Sequence, residues 1–219
     1  SKERASSMDL FAVTSPPGMK SNVRLGIEWG YSWRSFGNQF RIFDSFYNSF
    51  ENGDTRRNPI ITEYIDDSDN TIQLLGNDDS RSFKFFPDRG AQGAAHGNDF
   101  PVVRYADILL SRAEALNELN GPNQESIDLI NLVRVRASAS LLSLSDFAST
   151  EELRNHLLDE RKWEFYNENQ RTADMKRMGK FIEQALARGK TNAKPFHVRF
   201  PIPQSAINGN PLLIQNEGY

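Results

Sequence analysis

Apolar residues recur at helical spacing through the second half of the chain, from residue 101 to about residue 190. In the first predicted helix, over 103–119, neighbouring apolar positions lie three or four residues apart. These positions are Ala106, Leu109, Ala113 and Leu116. Because this spacing places all of them on one side of a helix, the pattern predicts that the helix packs against a core along that side.

A second amphipathic helix is predicted directly after the first. Gly121 and Pro122 end the first helix, and Asn123 is a suitable N-cap for the next one, over 124–138. The predicted buried face of this second helix comprises Ile127, Ile130, Val133 and Ala137. Two helices joined by so short a turn form a helical hairpin of about tetratricopeptide size. No second copy occurs at a matching period, so the sequence predicts one hairpin and no array.

A third helix is predicted to begin at Ser149. A serine followed three residues later by an acidic residue, here Glu152, is the pattern of a capping box. The apolar spacing continues past Tyr166, with a break or bend over 167–169, and the helix ends at Gly179.

The remaining segments lack this periodicity. A short helix is predicted over 181–188, and the prolines of the tail predict an extended, irregular course. Residues 1–100 are rich in Gly, Asn, Asp, Ser and aromatics, with short strands predicted at Leu10–Val13 and Ser82–Phe86. The predicted fold class is mainly α with long irregular loops, a tetratricopeptide-like helix hairpin and few short strands.

Composition and charge narrow the functional classes. The chain has 219 residues, 38% of them hydrophobic, so it is long enough to bury a core. Its net charge of -3 provides no general attraction to nucleic acid or anionic lipid. The absence of cysteine excludes disulfides, thiolate metal sites and cysteine nucleophiles. No phosphate-binding loop, zinc-protease motif or nucleophile elbow occurs, so we expect no enzymatic activity, no metal and no cofactor.

The alternating aromatic residues Trp29, Tyr31 and Trp33 form the most suggestive pattern of the first half. In an extended segment, all three rings lie on one face. Flat rings beside polar side chains suit a neutral sugar, which stacks its C–H face on a ring and hydrogen-bonds through its hydroxyls. Arg34 and Asn38 are the candidate hydrogen-bonding partners. The alternative is that these rings fill a loop-rich core or lie under another segment.

Acidic and basic residues alternate at spacings of three and four through the third predicted helix. On one helix they would form a ladder of ion pairs. The ladder comprises Arg161, Glu164, Glu168, Arg171, Asp174 and Arg177. A catalytic interpretation takes Glu164 and Glu168 as an acid–base pair, as in glycoside hydrolysis. That chemistry needs carboxylates on opposite sides of a cleft, whereas neighbours on one helix point the same way, so we interpret the ladder as structural.

Several segments resemble motifs of the SusD/RagB family, nutrient-binding lipoproteins of the outer membrane of Bacteroidetes. The closest resemblance is over 100–115, which reads FPVVRYADILLSRAEA. Segments at 130–137 (INLVRVRA) and 160–177 (ERKWEFYNENQRTADMKR), and the closing strings FPIP, NP and QNEGY, follow in the family's order. Glu217 stands where the family usually has proline. We interpret these motif residues as scaffold.

The resemblance implies a domain organisation. Family members are typically about twice this length, begin with a signal peptide and a lipid-acceptor cysteine, and contain four tetratricopeptide-like helix pairs. Residues 1–219 would then be the C-terminal part of one SusD/RagB-like domain. Within it, residues 1–100 would be loop-rich and face the ligand, 101–190 would be helical, and 191–219 would form an extended tail.

The resemblance also implies a function. It implies non-catalytic capture of an oligosaccharide on the surface of the outer membrane, where a lipid anchor outside this chain is the only membrane attachment. The cargo would then pass to a SusC-like TonB-dependent transporter. Two alternatives stay open, namely a peptide or another nutrient as the cargo, and a helical-repeat scaffold for protein partners.

Overall fold

The computed structural model describes residues 16, 18–22, 24–28, 40–86, 99 and 101–219. The chain divides into two compact units, residues 1–168 and residues 169–219. Seven α-helices and six short strands occur in the described part. The prediction of a mainly α-helical chain with long irregular loops and few short strands is confirmed. The tetratricopeptide-like character of the hairpin stays a prediction.

Among the described residues of the first unit, the helices are one short turn and three longer segments. They are α1 Asp44–Tyr47, α2 Tyr105–Asn120, α3 Gln124–Arg136 and α4 Thr150–Glu164. Helices α2, α3 and α4 share the largest apolar core of the described residues. The core consists of Ala106, Leu109, Leu110, Ala113, Ile127, Ile130, Val133, Leu153, Leu157 and Phe165.

The predicted hairpin of α2 and α3 is confirmed, with boundaries within two residues of the prediction. Gly121 ends α2 with a φ of 74°, a left-handed conformation that favours glycine. Asn123 caps α3, because its Oδ1 accepts a hydrogen bond from the backbone N–H of Ser126 at 3.0 Å. Leu116 is only half-buried, and the buried position next to it is Asn117, whose amide donates to Thr150 O at 2.9 Å.

Helix α4 begins where the sequence predicts and ends earlier. The Oγ of Ser149 accepts a hydrogen bond from the backbone N–H of Glu152 at 3.2 Å, whereas the carboxylate of Glu152 accepts from Ala148 N at 2.7 Å. The predicted continuation past residue 166 is wrong, because α4 ends at Glu164. The predicted break follows, since Asn167 and Asn169 both have a φ of 61°. This left-handed backbone interrupts a helix, and asparagine tolerates it better than most residues do.

The described strands of the first unit form one four-stranded and one two-stranded antiparallel sheet. They are β1 Met19–Asn22, β2 Ile27–Glu28, β3 Ile60–Ile61, β4 Glu63–Asp66, β5 Thr71–Gln73 and β6 Arg81–Ser82. The larger sheet has the order β2-β1-β4-β5, and β3 pairs with β6. The strand predicted at Ser82–Phe86 is wrong beyond Ser82, and the one predicted at Leu10–Val13 lies outside the described residues.

The second unit contains three short helices and an irregular tail. The helices are α5 Arg171–Arg177, α6 Phe181–Ala187 and α7 Gln204–Gly209. Helix α7 corrects the prediction of a tail without helical structure. Side chains hold two stretches of the tail together, since the Gln215 amide bonds to both backbone groups of Ile202, at 2.8 and 2.9 Å. Asn216 Nδ2 donates to Phe200 O at 2.8 Å.

Candidate functional site

The five residues predicted to bind a sugar lie outside the described residues. They are Trp29, Tyr31, Trp33, Arg34 and Asn38. Their role therefore stays a prediction. The described part of the first unit instead contains a concentration of buried charges beside a cavity, and this concentration has two parts.

The first part, the Glu160 cluster, is centred on a fully buried carboxylate of α4. Each Glu160 oxygen contacts one arginine at 2.6 Å, with Arg56 Nη1 on Oε1 and Arg134 Nη1 on Oε2. Arg56 lies in a 3-10 turn and also contacts Asp54 Oδ2 at 2.6 Å. Arg134 lies in the last turn of α3 and reaches Glu51 Oε2 at 2.7 Å. The cluster therefore ties α3 and α4 to the loop over 51–56.

The second part, the Arg104 cluster, joins Glu164 and Glu168 through one guanidinium. Arg104 Nη1 lies 2.8 Å from Glu164 Oε1, and Arg104 Nε lies 2.8 Å from Glu168 Oε2. The other carboxylate oxygen of Glu164, Oε2, lies 2.5 Å from Arg136 Nη2. Lys84 contacts Glu168 and donates to Glu164 O at 2.6 Å. Both carboxylates are thus held by cations from distant parts of the chain.

Burial and neighbouring charges shift the pKa values of these groups in opposite directions. Burial alone would raise the pKa of Glu160, but the contact with His156 and the charges of Arg56 and Arg134 outweigh it and lower the pKa to about 2. Burial disfavours the charged form of Arg104, yet its hydrogen bonds to Glu168 and Glu164 raise the pKa of this guanidinium. Burial lowers the pKa of Lys84, although Glu168 partly opposes this effect.

A cavity of about 230 Å³ opens beside the Arg104 cluster. It is lined by Thr55, Arg56, Pro59, Lys84, Arg104, Arg136, Trp163, Glu164 and Tyr166. The two aromatic side chains are already engaged, since Trp163 Nε1 donates to Ser49 Oγ at 3.0 Å and the Tyr166 hydroxyl donates to Arg56 O at 2.8 Å. The Nζ of Lys84 lies 4.5 Å from the centre of the Tyr166 ring.

The geometry does not favour the catalytic interpretation of Glu164 and Glu168. Acid–base hydrolysis needs two carboxylates that face each other across a substrate. Here both carboxylates hydrogen-bond to the same guanidinium of Arg104. Such charge-assisted contacts hold both carboxylates in place. The arrangement suits a structural network that fixes the end of α4.

The predicted ladder is divided between the two units. In the first unit, Arg161 Nη1 contacts Asp107 Oδ1 of α2 at 2.7 Å. In the second unit, Arg171 Nη2 donates to Gln184 at 2.9 Å, and Arg177 contacts Asp174 at 3.0 Å. The expectation of one continuous helical ladder is wrong, because the helix ends at Glu164 and α5 begins at Arg171.

The sequence interpretation missed the cations that hold the carboxylates of Glu160 and Glu164. The sequence feature that could have pointed to these cations is the family resemblance, because its motifs include Arg104, Arg134 and Arg136. Their partners could not be identified from spacing, since Arg104 lies 60 residues from Glu164 along the chain. Among the described residues, no group of His, Asp or Glu side chains could hold a metal ion. None of the described helices combines the length and apolar character that crossing a membrane requires.

Comparisons with known proteins identify similar sequences. A family model described as the SusD family matches residues 80–219. The chain is 36% identical over 135 residues to a SusD-like protein of Formosa agariphila, a match that covers 57% of this chain and 25% of that protein. It is 34% identical over 128 residues to the starch-binding protein SusD of Bacteroides thetaiotaomicron, covering 55% of this chain and 22% of that protein.

A solved structure extends the similarity to the fold. The structure of a laminarin-binding SusD-like protein superposes on this one with a TM-score of 0.58 at 25% sequence identity. That superposition covers 80% of this chain and 37% of the other chain. The matches to the two curated relatives span about a quarter of each relative's length.

Proposed function

Because the chain belongs to the SusD family, we propose that it binds an oligosaccharide at the bacterial cell surface without catalysing its hydrolysis. We further propose that the bound sugar is delivered to a TonB-dependent transporter of the outer membrane. The observation that carries this proposal is the match over 80–219, together with the names of two similar proteins, one starch-binding and one laminarin-binding.

The described charge network supports a binding role over a catalytic one. Glu164 lines the cavity, and both Glu164 and Glu168 are paired with Arg104. Acid–base hydrolysis needs two carboxylates that face each other across the substrate, whereas these two bond to one guanidinium. The clusters therefore act as scaffold, and the sugar binds elsewhere.

We propose that the sugar contacts the aromatic segment 29–38. Stacking on Trp29, Tyr31 and Trp33 would supply most of the affinity, with Arg34 and Asn38 hydrogen-bonding to hydroxyls. Each ring contributes about 1 kcal/mol beyond area burial. Binding spread over two or three rings then gives dissociation constants of roughly micromolar to millimolar.

Isothermal titration calorimetry with a panel of soluble oligosaccharides tests this function. The panel holds maltooligosaccharides, laminarioligosaccharides and a non-glucan control, with a peptide mixture as the alternative cargo. We expect saturable binding of at least one oligosaccharide, and chromatography of the recovered ligand should show unchanged chain length. Binding of peptides alone would favour the alternative cargo, and shortened products would contradict a non-catalytic role.

Delivery to a transporter needs a separate experiment. Co-purification of the tagged protein from outer membranes of its source bacterium should recover a TonB-dependent transporter. Recovery of the transporter should not require the sugar, because we propose that the two proteins form a stable complex in its absence. Purification without any transporter, under conditions that preserve other outer-membrane complexes, would contradict the delivery step.

A further inference from the structure

The net charge of the whole chain conceals an uneven distribution between its two units. Residues 169–219 contain eight Lys or Arg and three Asp or Glu, so the second unit carries a net charge of +5. The first unit therefore carries -8, because the whole chain carries -3. A local excess of cations attracts an anionic surface even where the protein as a whole is acidic.

Four cations of the second unit are exposed, and within the described part of the chain none of them forms an ion pair. They are Arg188, Lys190, Lys194 and Arg199. Other cations of this unit differ, since Arg177 is paired with Asp174 and Lys180 with Glu183. The charge of the four exposed residues is thus available to an external partner.

The tail of the second unit also exposes large apolar side chains. Phe200 is 81% exposed, and Leu212 and Ile214 are each 87% exposed. The hydrogen bonds of Gln215 to Ile202 and of Asn216 to Phe200 hold the stretch that contains Ile214 beside the stretch that contains Phe200. Exposed apolar side chains on neighbouring stretches are typical of an interaction surface.

Cations border these apolar residues. Arg199 directly precedes Phe200, and its backbone is fixed because the Tyr219 hydroxyl donates to Arg199 O at 2.7 Å. The Tyr219 ring packs edge to face on Phe196, with ring centres 5.0 Å apart. Lys176 Nζ lies 5.2 Å from the centre of the Phe200 ring. Apolar and basic side chains therefore occur together on one ordered part of the tail.

These features define a tail surface, which consists of Lys194, Arg199, Phe200, Leu212 and Ile214. An anionic lipid surface complements both of its properties. Its headgroups attract cations, and the boundary between headgroups and acyl chains takes up apolar side chains. Nucleic acid complements only the cations, because its phosphates offer no apolar environment to aliphatic side chains.

We infer that the tail surface binds an anionic membrane. Arg199 and Lys194 lie at the headgroups, and Phe200, Leu212 and Ile214 enter the boundary with the acyl chains. Attachment of this kind is reversible, so it would add to a lipid anchor and orient the second unit on the membrane. The inference goes beyond sugar binding and does not depend on it.

Co-sedimentation of the 219-residue chain with lipid vesicles tests the inference. One vesicle preparation is pure phosphatidylcholine, and the other contains about one third phosphatidylglycerol as the anionic lipid. The partition coefficient should be at least about tenfold higher on the anionic vesicles and should fall as salt is added. Arg199→Glu should lower it about fivefold or more, and Ile214→Ser about threefold to tenfold.

Matched controls come from the first unit. Arg112→Glu makes the same change in net charge as Arg199→Glu, at an exposed position of α2. Leu119→Ser removes a leucine that is also largely exposed. Both controls should leave the partition coefficient unchanged. Thermal melts verify that each variant is folded, and Lys194→Glu replaces Arg199→Glu if the latter is not.

Three results would overturn the inference. The first is no binding to the anionic vesicles, or equal binding to both preparations. The second is an Arg112→Glu variant that loses as much binding as Arg199→Glu, because the attraction would then come from the total charge. The third is full binding by Ile214→Ser beside a loss in Arg199→Glu, which would indicate a general polyanion site without insertion into lipid.

Discussion

Glu160 is the residue on which the buried charge network depends. Its carboxylate is fully buried and forms an ion pair with the guanidinium of Arg56 through one oxygen and with that of Arg134 through the other. Replacing it by glutamine leaves two buried cations under-compensated. We therefore expect Glu160→Gln to lower the free energy of unfolding by about 3–5 kcal/mol, measured by urea denaturation.

An exposed glutamate provides the control for that variant. Glu183 contacts Lys180 at 3.1 Å, and its side chain is 65% exposed. Surface pairs of this kind contribute under about 1 kcal/mol, so Glu183→Gln should have a correspondingly small effect. Equal effects of the two substitutions would contradict a stabilising role for the buried cluster.

The same carboxylate predicts how stability depends on pH. The folded-state pKa of Glu160 is about 2, against 4.5 in the unfolded chain, so ionisation favours the folded state. This contribution is fully present above the unfolded value and is lost as pH falls from 4.5 towards 2. The difference corresponds to about 3 kcal/mol. Thermal melts from about pH 5 down to about pH 2 should therefore show a smaller loss of stability in Glu160→Gln than in the wild type.

At the residue scale, local features could be predicted from the sequence and distant partners could not. The caps Asn123 and Ser149 bond within three residues, so their spacing alone identifies them. Arg56 and Glu160 are 104 residues apart along the chain, and no spacing rule connects them. Their contact follows from the packing of whole elements.

At the scale of elements, the break after α4 depends on asparagine. Asn169 is exposed and has a φ of 61°. A side chain that cannot bond locally costs about 1–2 kcal/mol in this backbone region, whereas glycine costs nothing there sterically. Asn169→Ala should therefore destabilise the chain by about 1 kcal/mol in urea denaturation, and Asn169→Gly should have little effect. Equal stability of the two variants would contradict the role of the left-handed backbone.

The hairpin of α2 and α3 exposes apolar side chains on its outer side. Leu132 is 56% exposed and Val135 is 62% exposed, and α2 also exposes apolar residues such as Ile108. We expect this face to meet another chain, or residues of the same protein outside these 219. The chain should then self-associate in light scattering as its concentration rises, because the face excludes water on contact.

Two charge substitutions test that expectation. Leu132→Glu should reduce the association, while Arg112→Glu, at an exposed charged position of α2, should reduce it far less. A chain that stays monomeric at every concentration would contradict the expectation.

The helix bounds predicted from the sequence were accurate where the apolar spacing continued over several turns, as in α2 and α3. The break over 167–169 was predicted, but α4 was extended past its actual end at Glu164, because charged side chains alternate at the same spacing on both sides of Asn167. The sheets were largely missed. Strand β1 pairs with β4 across more than 40 residues, and such long-range pairing has no local signal.

At the scale of the whole molecule, the family motifs indicated more about fold and function than any single candidate binding residue did. They lie in the helical half, within the matched residues 80–219, and the structure gives their charged residues structural contacts. The proposed ligand contacts, within residues 29–38, precede the matched residues along the chain.

The central claim is that the aromatic residues Trp29, Tyr31 and Trp33 bind a sugar and do not hold the core. Parallel calorimetric titration and thermal melting of Trp33→Ala test it most directly. We predict a dissociation constant about tenfold weaker than that of the wild type, with the melting temperature nearly unchanged, because an exposed ring contributes to binding and little to folding. Unchanged sugar affinity, or a loss of about 3–5 kcal/mol in stability from a core cavity, would contradict it.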